Sequence, residues 1–460
     1  MTMPSQFFLT AYDPSELPGG SVDPLGFETG YIRLADEFLP GFTTVTDTPR
    51  YLSMLCAAIF LATDENERAL EDRFAEADAM KRILRLERLW AVSAVLNIQV
   101  DAKSGNALPF TIRGVSFAKD EAGRIAAEGR TSIDPDGFRF LKHQRTAGGL
   151  GAYKTMLERF GLLMENEWKL TADSGVDLAT AFIEPIKERA GKLRAVVNNG
   201  DTISVARLRS WGAVAHPFRR LPEKERKIIV ECLNGNPRRA LTVRITTCLA
   251  RHLKSEFTTW DELSALKEAL REIRALRVKK QDEISRDAIE AALRVAIPYE
   301  QTYQAMSLLL DRMLWLAKRL GSAVDIDVAA SDDVICEAQE TLAKSCGKLE
   351  AARNNEPALG TEAAAAIAES VRSALRAAEA KTTRECLEAV LERHRVVQSQ
   401  KKEMGRHKKP WLEREDGKLK LTSTVDWLDK EPKTTDDIVP HSYRLTNLMR
   451  FGTALGLWGG

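Results

Sequence analysis

The 460-residue chain has no excess of charge of either sign: 67 lysines and arginines stand against 66 aspartates and glutamates, a formal net charge of +1. A molecule so balanced has no global field to draw it onto nucleic acid or an acidic membrane, so binding of that kind has to come from local patches. Metal-binding cysteine pairs are also missing. The six cysteines, Cys56, Cys232, Cys248, Cys336, Cys346 and Cys386, lie far apart, and none forms a Cys-x-x-Cys. No histidine stands at zinc-ligand spacing from two of them, so free thiols in a reducing cytosol are the simplest reading. Long apolar runs are absent too. The longest, residues 54–62, is about half the roughly 20 residues that a membrane span needs, and the N-terminus lacks the basic start and apolar core of a secretory signal. A cytoplasmic protein without membrane contact is expected.

Catalytic signatures are equally scarce. There is no G-x-x-x-x-G-K-[ST] and no strand-borne G-x-G-x-x-G to cradle phosphate, and neither G-x-S-x-G nor H-E-x-x-H occurs. The six histidines are scattered, without carboxylates at telling spacings. One enzymatic pattern exists: Pro135-Asp136 followed by Glu167-Trp168-Lys169 has the residue order of a PD-(D/E)-x-K nuclease, in which two acids hold a divalent ion. A helix and a glycine turn separate the two halves, which does not suggest the neighbouring strands such a site needs. The expectation is a non-catalytic protein with no cofactor and no metal.

What is present is mostly helical periodicity. The expected fold is mainly α, multi-helical, with a small winged-helix-like α+β module in the N-terminal half and β structure confined to that half and its wing hairpin. Five regions follow: a helical region with a Pro/Gly-rich arm at 1–125, the winged-helix-like module at 126–198, a helical domain at 199–330, a long helical hairpin at 331–400, and a basic segment with a C-terminal docking helix at 401–460. The turn Asn198-Asn-Gly-Asp201 marks the clearest boundary. Helices are expected at 285–295 and, starting from Pro298, at 299–320, where Tyr303, Met306, Leu309, Leu310, Met313, Leu314 and Leu320 are spaced for burial. Two more are expected at 334–353 and 361–400.

The module at 126–198 carries the most specific residue order. Thr146-Ala-Gly-Gly-Leu-Gly151 is a glycine-rich turn between two helical patterns. Gly161-Leu-Leu163, a polar tip at Glu165-Asn-Glu167, Trp168-Lys-Leu-Thr171, Gly175 and an apolar helix follow. This order resembles the recognition helix, wing hairpin and exit helix of winged-helix domains. The resemblance implies a helix over 150–160 lying in the major groove. It would offer Tyr153, Lys154 and Arg159 to DNA, with Arg139, Lys142 and Arg145 close by. Across residues 137–159 these five basic residues face a single acid, Glu158, so phosphate contacts would dominate and affinity would fall with salt. Docking of a protein partner, including one encoded nearby, is the alternative use of such a module.

A second basic tract runs from 393 to 409, with Arg393, Arg395, Lys401, Lys402, Arg406, Lys408 and Lys409 against Glu403, and Trp411 just beyond. Cations beside an aromatic suit a nucleic-acid backbone with a stacked base. A solvated helix end with cations at its negative pole is the plainer alternative.

Near the N-terminus, Gly30-x-x-Arg33-Leu-Ala-x-x-x-Leu39-Pro-Gly-x-Thr43-x-x-Thr46-x-x-x-Arg50-Tyr51 is a distinctive order. It resembles the opening of an uncharacterised bacterial family associated with phage-defence gene clusters, which implies a setting and no activity. Arg33 and Arg50 would suit a phosphate or a partner's carboxylate; a structural Arg–Asp pair pinning the loop is the simpler alternative. The functional expectation is therefore a nucleic-acid-binding accessory or sensor, with a protein-binding helical scaffold and the nuclease as alternatives.

Overall fold

A computed structural model gives a mainly helical protein and describes residues 23–63, 73–101, 112–165, 167–190, 193–217, 220–252, 261–403, 406–423, 428 and 430–458. In chain order the described helices are α1 (Glu28–Phe38), α2 (Arg50–Thr63), α3 (Arg73–Asp101), α4 (Val115–Ala127), α5 (Gln144–Ala147), α6 (Gly149–Arg159), α7 (Ser174–Ala190), α8 (Leu193–Asn199) and α9 (Val205–Ala215). They continue as α10 (Glu223–Asn234), α11 (Pro237–His252), α12 (Glu262–Ala275), α13 (Glu283–Arg319), α14 (Ile326–Ala330), α15 (Asp333–Asn355), α16 (Thr361–Ala378), α17 (Thr383–Gln400) and α18 (Leu445–Ala454). The strands are short: β1 (Ser132–Ile133), β2 (Ile203–Ser204), β3 (Ala323–Asp325), β4 (Lys402–Glu403), β5 (Arg406–His407), β6 (Leu412–Glu415) and β7 (Lys418–Leu421). No described helix is long and apolar enough to cross a membrane. The chain divides into two compact units, one holding residues 41–243 and 447–458, the other residues 23–40 and 244–446.

In the first unit α2 is the centre. Its sequence is apolar on every side, and only Phe60 and Thr63 escape full burial, as expected of a helix with no polar face. It packs against α3, α6, α7 and α8. Its first residue, Arg50, is buried as completely as the rest. Arg50 Nη2 donates to Glu225 Oε1 of α10 at 3.0 Å, with both side chains 0 % exposed, and the guanidinium lies 5.5 Å over the Phe182 ring. Arg50 is thus a structural ion-pair residue, with a distant glutamate as partner in place of a local aspartate. Burial pushes the Glu225 carboxyl up and the Arg50 guanidinium down. The pair is therefore held against a desolvation penalty.

The second unit is built on α13, which packs against α1, α12, α15, α16 and α17. Separate helices at 285–295 and 299–320 were expected because proline ordinarily starts or stops a helix. The two are one helix, with Pro298 inside it and buried. A proline there removes an N–H and costs about 3 kcal/mol, and packing of α13 on several neighbours outweighs that. Leu320, expected to be buried, is 55 % exposed at the end of this helix. The expected helix over 361–400 is broken: α16 stops at Ala378, and Thr382 opens α17 with a capping box to Glu385, a reciprocal cap that a Thr-x-x-Glu sequence encodes.

The expectation that β structure stays in the N-terminal half is also corrected. The largest described sheet is β3–β7–β6 in the second unit. Its β6–β7 hairpin turns on Asp416 and Gly417 at φ 50° and 77°, the left-handed pair that an Asp-Gly hairpin turn favours.

Buried acids gather around α13 as well. The Glu300 carboxylate, 0 % exposed, accepts from the backbone N–H of His441 and pairs with its Nδ1, both at 2.9 Å. Glu262 accepts from the Thr446 hydroxyl at 2.6 Å, and burial pushes its carboxyl up to about 7.

Two outcomes follow for stability. Arg50→Ala leaves Glu225 buried without its cation and is expected to cost about 3–5 kcal/mol in urea unfolding, while Arg50→Met combined with Glu225→Leu recovers most of it. Because Glu262 holds its proton more tightly folded than unfolded, stability declines as pH rises from about 4.5 to about 7. Melting temperatures at pH 5 and pH 8 are expected to differ less in Glu262→Gln than in the unaltered protein.

Candidate nucleic-acid interface

The residues singled out between 139 and 171 fall in the first unit on the segment before α5, on α5 and α6 with Gly148 between them, and on a short hairpin that leads to α7. The hairpin is closed by a bridge between Leu163 and Leu170 and by Met164 N donating to Lys169 O at 2.9 Å. The Thr171 hydroxyl donates to Gly161 O at 2.7 Å and accepts from Gly175 N at 3.0 Å, which joins the end of the hairpin to the start of α7. Strand β1, which precedes α5, pairs with β2 and not with this hairpin.

Helix α6 begins at Gly149, and the acceptor at its positive end comes from the chain itself. Glu87 of α3 is 1 % exposed. One of its carboxylate oxygens accepts from Gly149 N, and the other accepts from Gln144 Nε2 at 3.0 Å. Gln144 is in turn fixed by Arg88 Nε donating to its Oε1 at 2.7 Å and by its own donation to Leu84 O at 2.9 Å. Burial raises the Glu87 carboxyl, and these donors oppose that rise. The glycine-rich turn is explained by the same packing. A Cβ on Gly149 would stand 2.4 Å from Tyr51 Cε1, so the residue stays bare because an aromatic ring and a carboxylate close on it. It is no phosphate-binding loop.

Tyr153, expected to face DNA, is corrected by the structure: it is 1 % exposed. Its ring stacks on Tyr51 at 4.7 Å, and its hydroxyl accepts from Thr48 N at 3.0 Å. A large aromatic flanked by Ala152 and Met156 on the inner face of an amphipathic helix belongs to the core, and no spacing argument from the turn alone could separate the two faces. The other residues of the set point outward. Arg139, Lys142, Arg145 and Arg159 are exposed, with the Arg139 guanidinium 5.5 Å over the Phe117 ring. Lys154 is partly exposed, 3.8 Å from Glu158 Oε1 and 5.0 Å over the Trp168 ring. Along α6, Gly151, Lys154, Thr155, Glu158 and Arg159 form the one stripe that is not buried.

The negative end of α6 is closed by a residue that sequence reasoning passed over. Arg239 is 2 % exposed. It donates from Nη1 to Arg159 O at 3.1 Å, and from Nε and Nη2 to Leu233 O and Cys232 O at 3.0 and 2.8 Å, so it caps α6 and α10 together. Its guanidinium lies 4.1 Å over the Phe160 ring, and burial lowers its pKa to about 10, so it stays charged.

The second basic tract, in the second unit, is less basic on its surface than in its sequence. Arg393 is 7 % exposed, donates to Leu25 O at 2.8 Å and pairs with Glu369 at 3.2 Å. His394 is fully buried, and burial pushes it down to about 4. It is therefore neutral, its Nδ1–H directed at Pro24 O and its Nε2 accepting from Trp411 N at 2.8 Å. Arg395 pairs with Glu392 at 2.7 Å, and Lys401, half-buried, donates to Asp23 O. Lys402 and Arg406 lie on the β4–β5 ladder, and their side chains fall outside the described ones. Lys408 is half-buried, Lys409 exposed and Trp411 half-buried.

The nuclease pattern gains little. Asp136 is held by Arg85, with Nη2 to Oδ2 at 2.6 Å, and by Lys81 at 3.2 Å, which brings its pKa down to about 2. Among the described residues no group of three or more His, Cys, Asp or Glu side chains is placed to hold a metal ion. Comparison of the chain with protein-family models, with curated proteins and with solved structures returns no match.

Gly149→Ala is expected to cost about 1–3 kcal/mol by overpacking against Tyr51. Gly123→Ala, where a Cβ on α4 meets nothing within 4 Å, is expected to gain up to about 1 kcal/mol. Parallel denaturant titrations check both.

Proposed function

We propose that the protein binds duplex nucleic acid through α5, α6 and the 163–170 hairpin, in the manner of a winged helix, as a non-catalytic accessory or sensor. The single observation that carries this reading is the outer stripe of α6. One face of the helix is closed by α2 and by Glu87 of α3, and the other offers Lys154, Thr155 and Arg159, with Arg139, Lys142 and Arg145 exposed in the segment just before it. That is the arrangement a groove-lying helix with flanking phosphate contacts requires. A reducing, cytoplasmic setting accords with six free thiols, four of them buried. A place beside a phage-defence system rests on the N-terminal resemblance alone.

A second reading, docking of a protein partner, is favoured by the hairpin tip. Met164 there is 40 % exposed, and Glu165 and Glu167 are exposed beside it; carboxylates repel phosphate, and an exposed methionine suits an apolar partner.

Electrophoretic shift of a labelled 20-base-pair duplex by the full chain tests the choice. Binding is expected to weaken steeply between 50 and 200 mM salt. Charge reversal of Lys154 and Arg159 to Glu together is expected to lower affinity by at least about a hundredfold and to flatten the salt slope by about two, with Tyr153→Phe as a fold-preserving comparison. Unchanged affinity in the double variant sinks the nucleic-acid reading. Cleavage of the duplex with magnesium sinks the non-catalytic part of it.

A further inference from the structure

In the second unit a cleft of about 460 Å³ opens beside α13. Tyr303, Ser307 and Asp311 line it; spaced by four, they lie on one face of the helix at successive turns. Trp411 forms part of the wall, and Asp436 stands on the rim. The Ser307 side chain is 5 % exposed, and among the described residues its hydroxyl makes no well-formed hydrogen bond, only a weak one within reach of the Tyr303 hydroxyl. Asp311, half-buried, has no donor or cation among the described residues, and desolvation pushes its carboxyl up to about 7.

Of the other carboxylates around the cleft, Glu431 accepts from Arg312 at 2.7 Å and Asp437 from Lys430 at 2.6 Å, while Asp436 on the rim is exposed. Ser307 and Asp311 therefore stand one turn apart in a recess with aromatic walls, without a strong partner among the described residues. A polar group left under-satisfied in such a recess is costly, and proteins rarely keep one without a use.

The chemistry that would satisfy them is narrow. An anion is repelled by the carboxylates, and an uncharged apolar molecule leaves Asp311 and Ser307 unpaired. A cation with N–H donors pairs with both, and its charge suits the faces of Trp411 and Tyr303. We propose that this cleft binds an organic cation, a protonated amine or a guanidinium on an apolar stem, with its N–H groups on Asp311 and Ser307 and its stem along Trp411. The same assignment gives Trp411 a role apart from base stacking, since the cleft it lines is acidic.

Isothermal titration calorimetry on the full chain tests this with four probes: phenethylammonium, agmatine, and the capped tripeptides acetyl-Gly-Lys-Gly-amide and acetyl-Gly-Arg-Gly-amide. Phenethyl alcohol serves as the uncharged comparison. Saturable binding of at least one cation is expected, at least about tenfold tighter than the alcohol. Asp311→Asn is expected to weaken it by roughly ten- to hundredfold without lowering the melting temperature, because the amide removes a desolvated acid. Ser307→Ala is expected to weaken it by roughly two- to tenfold, and it stands in should Asp311→Asn fail to fold. Tighter binding of the small cations assigns the cleft to a free amine, and tighter binding of the peptides assigns it to a basic side chain of a protein. No saturable binding by any cation, or unchanged affinity in both variants, overturns the proposal.

Discussion

A carboxylate taken out of water has to find donors, and much of the first unit is arranged so that Glu87 does. It draws on the first amide of α6 and on Gln144 of α5, and the two short helices are thereby locked at one angle to α3. With that angle fixed, Tyr51 and Tyr153 can stack, Gly149 has to remain without a side chain, and α6 has only one face left for the outside. The pair α5 and α6 is therefore less an insertion of loop chemistry than the outer layer of a core whose inner layer is α2.

How much of this was legible depends on where each signal lay. Helix character was plain, since periodicity survives without knowledge of neighbours. Tyr153 was misread because an aromatic beside a basic cluster looks the same in sequence whether it faces a base or another ring. Glu87 could have been found: it falls four residues after Ile83 and three before Trp90, inside the apolar stripe of α3, and an acid in that position needs a buried donor. Thr382-x-x-Glu385 and Asp416-Gly417 were equally readable as a helix start and a hairpin turn. Arg239 gave no such sign, because its partners are backbone carbonyls, those of Cys232 and Leu233 just before it and that of Arg159 at the end of a helix remote in sequence.

The second basic tract shows how a charge count misleads. Arg393 and His394 lie on the inner side of α17, where they hold the backbone around Pro24 and Leu25, and Arg395 is spent on its neighbour Glu392. The residues on α13 teach the complementary lesson. Tyr303 carried the apolar spacing that was expected to fill a core, yet with Ser307 and Asp311 on the same line it borders open space instead.

Helix α6 is capped by a side chain at each pole, the Glu87 carboxyl at its amino end and the Arg239 guanidinium at its carboxyl end. The guanidinium opposes the partial negative charge that the aligned peptides place there, and the carboxyl takes up the first amide. Both ends of the helix are thus closed by the chain itself, unlike helices whose free amino end serves as an anion seat. Whatever meets its outer face meets side chains alone, and the sign of that encounter can be rewritten one residue at a time without disturbing the backbone beneath.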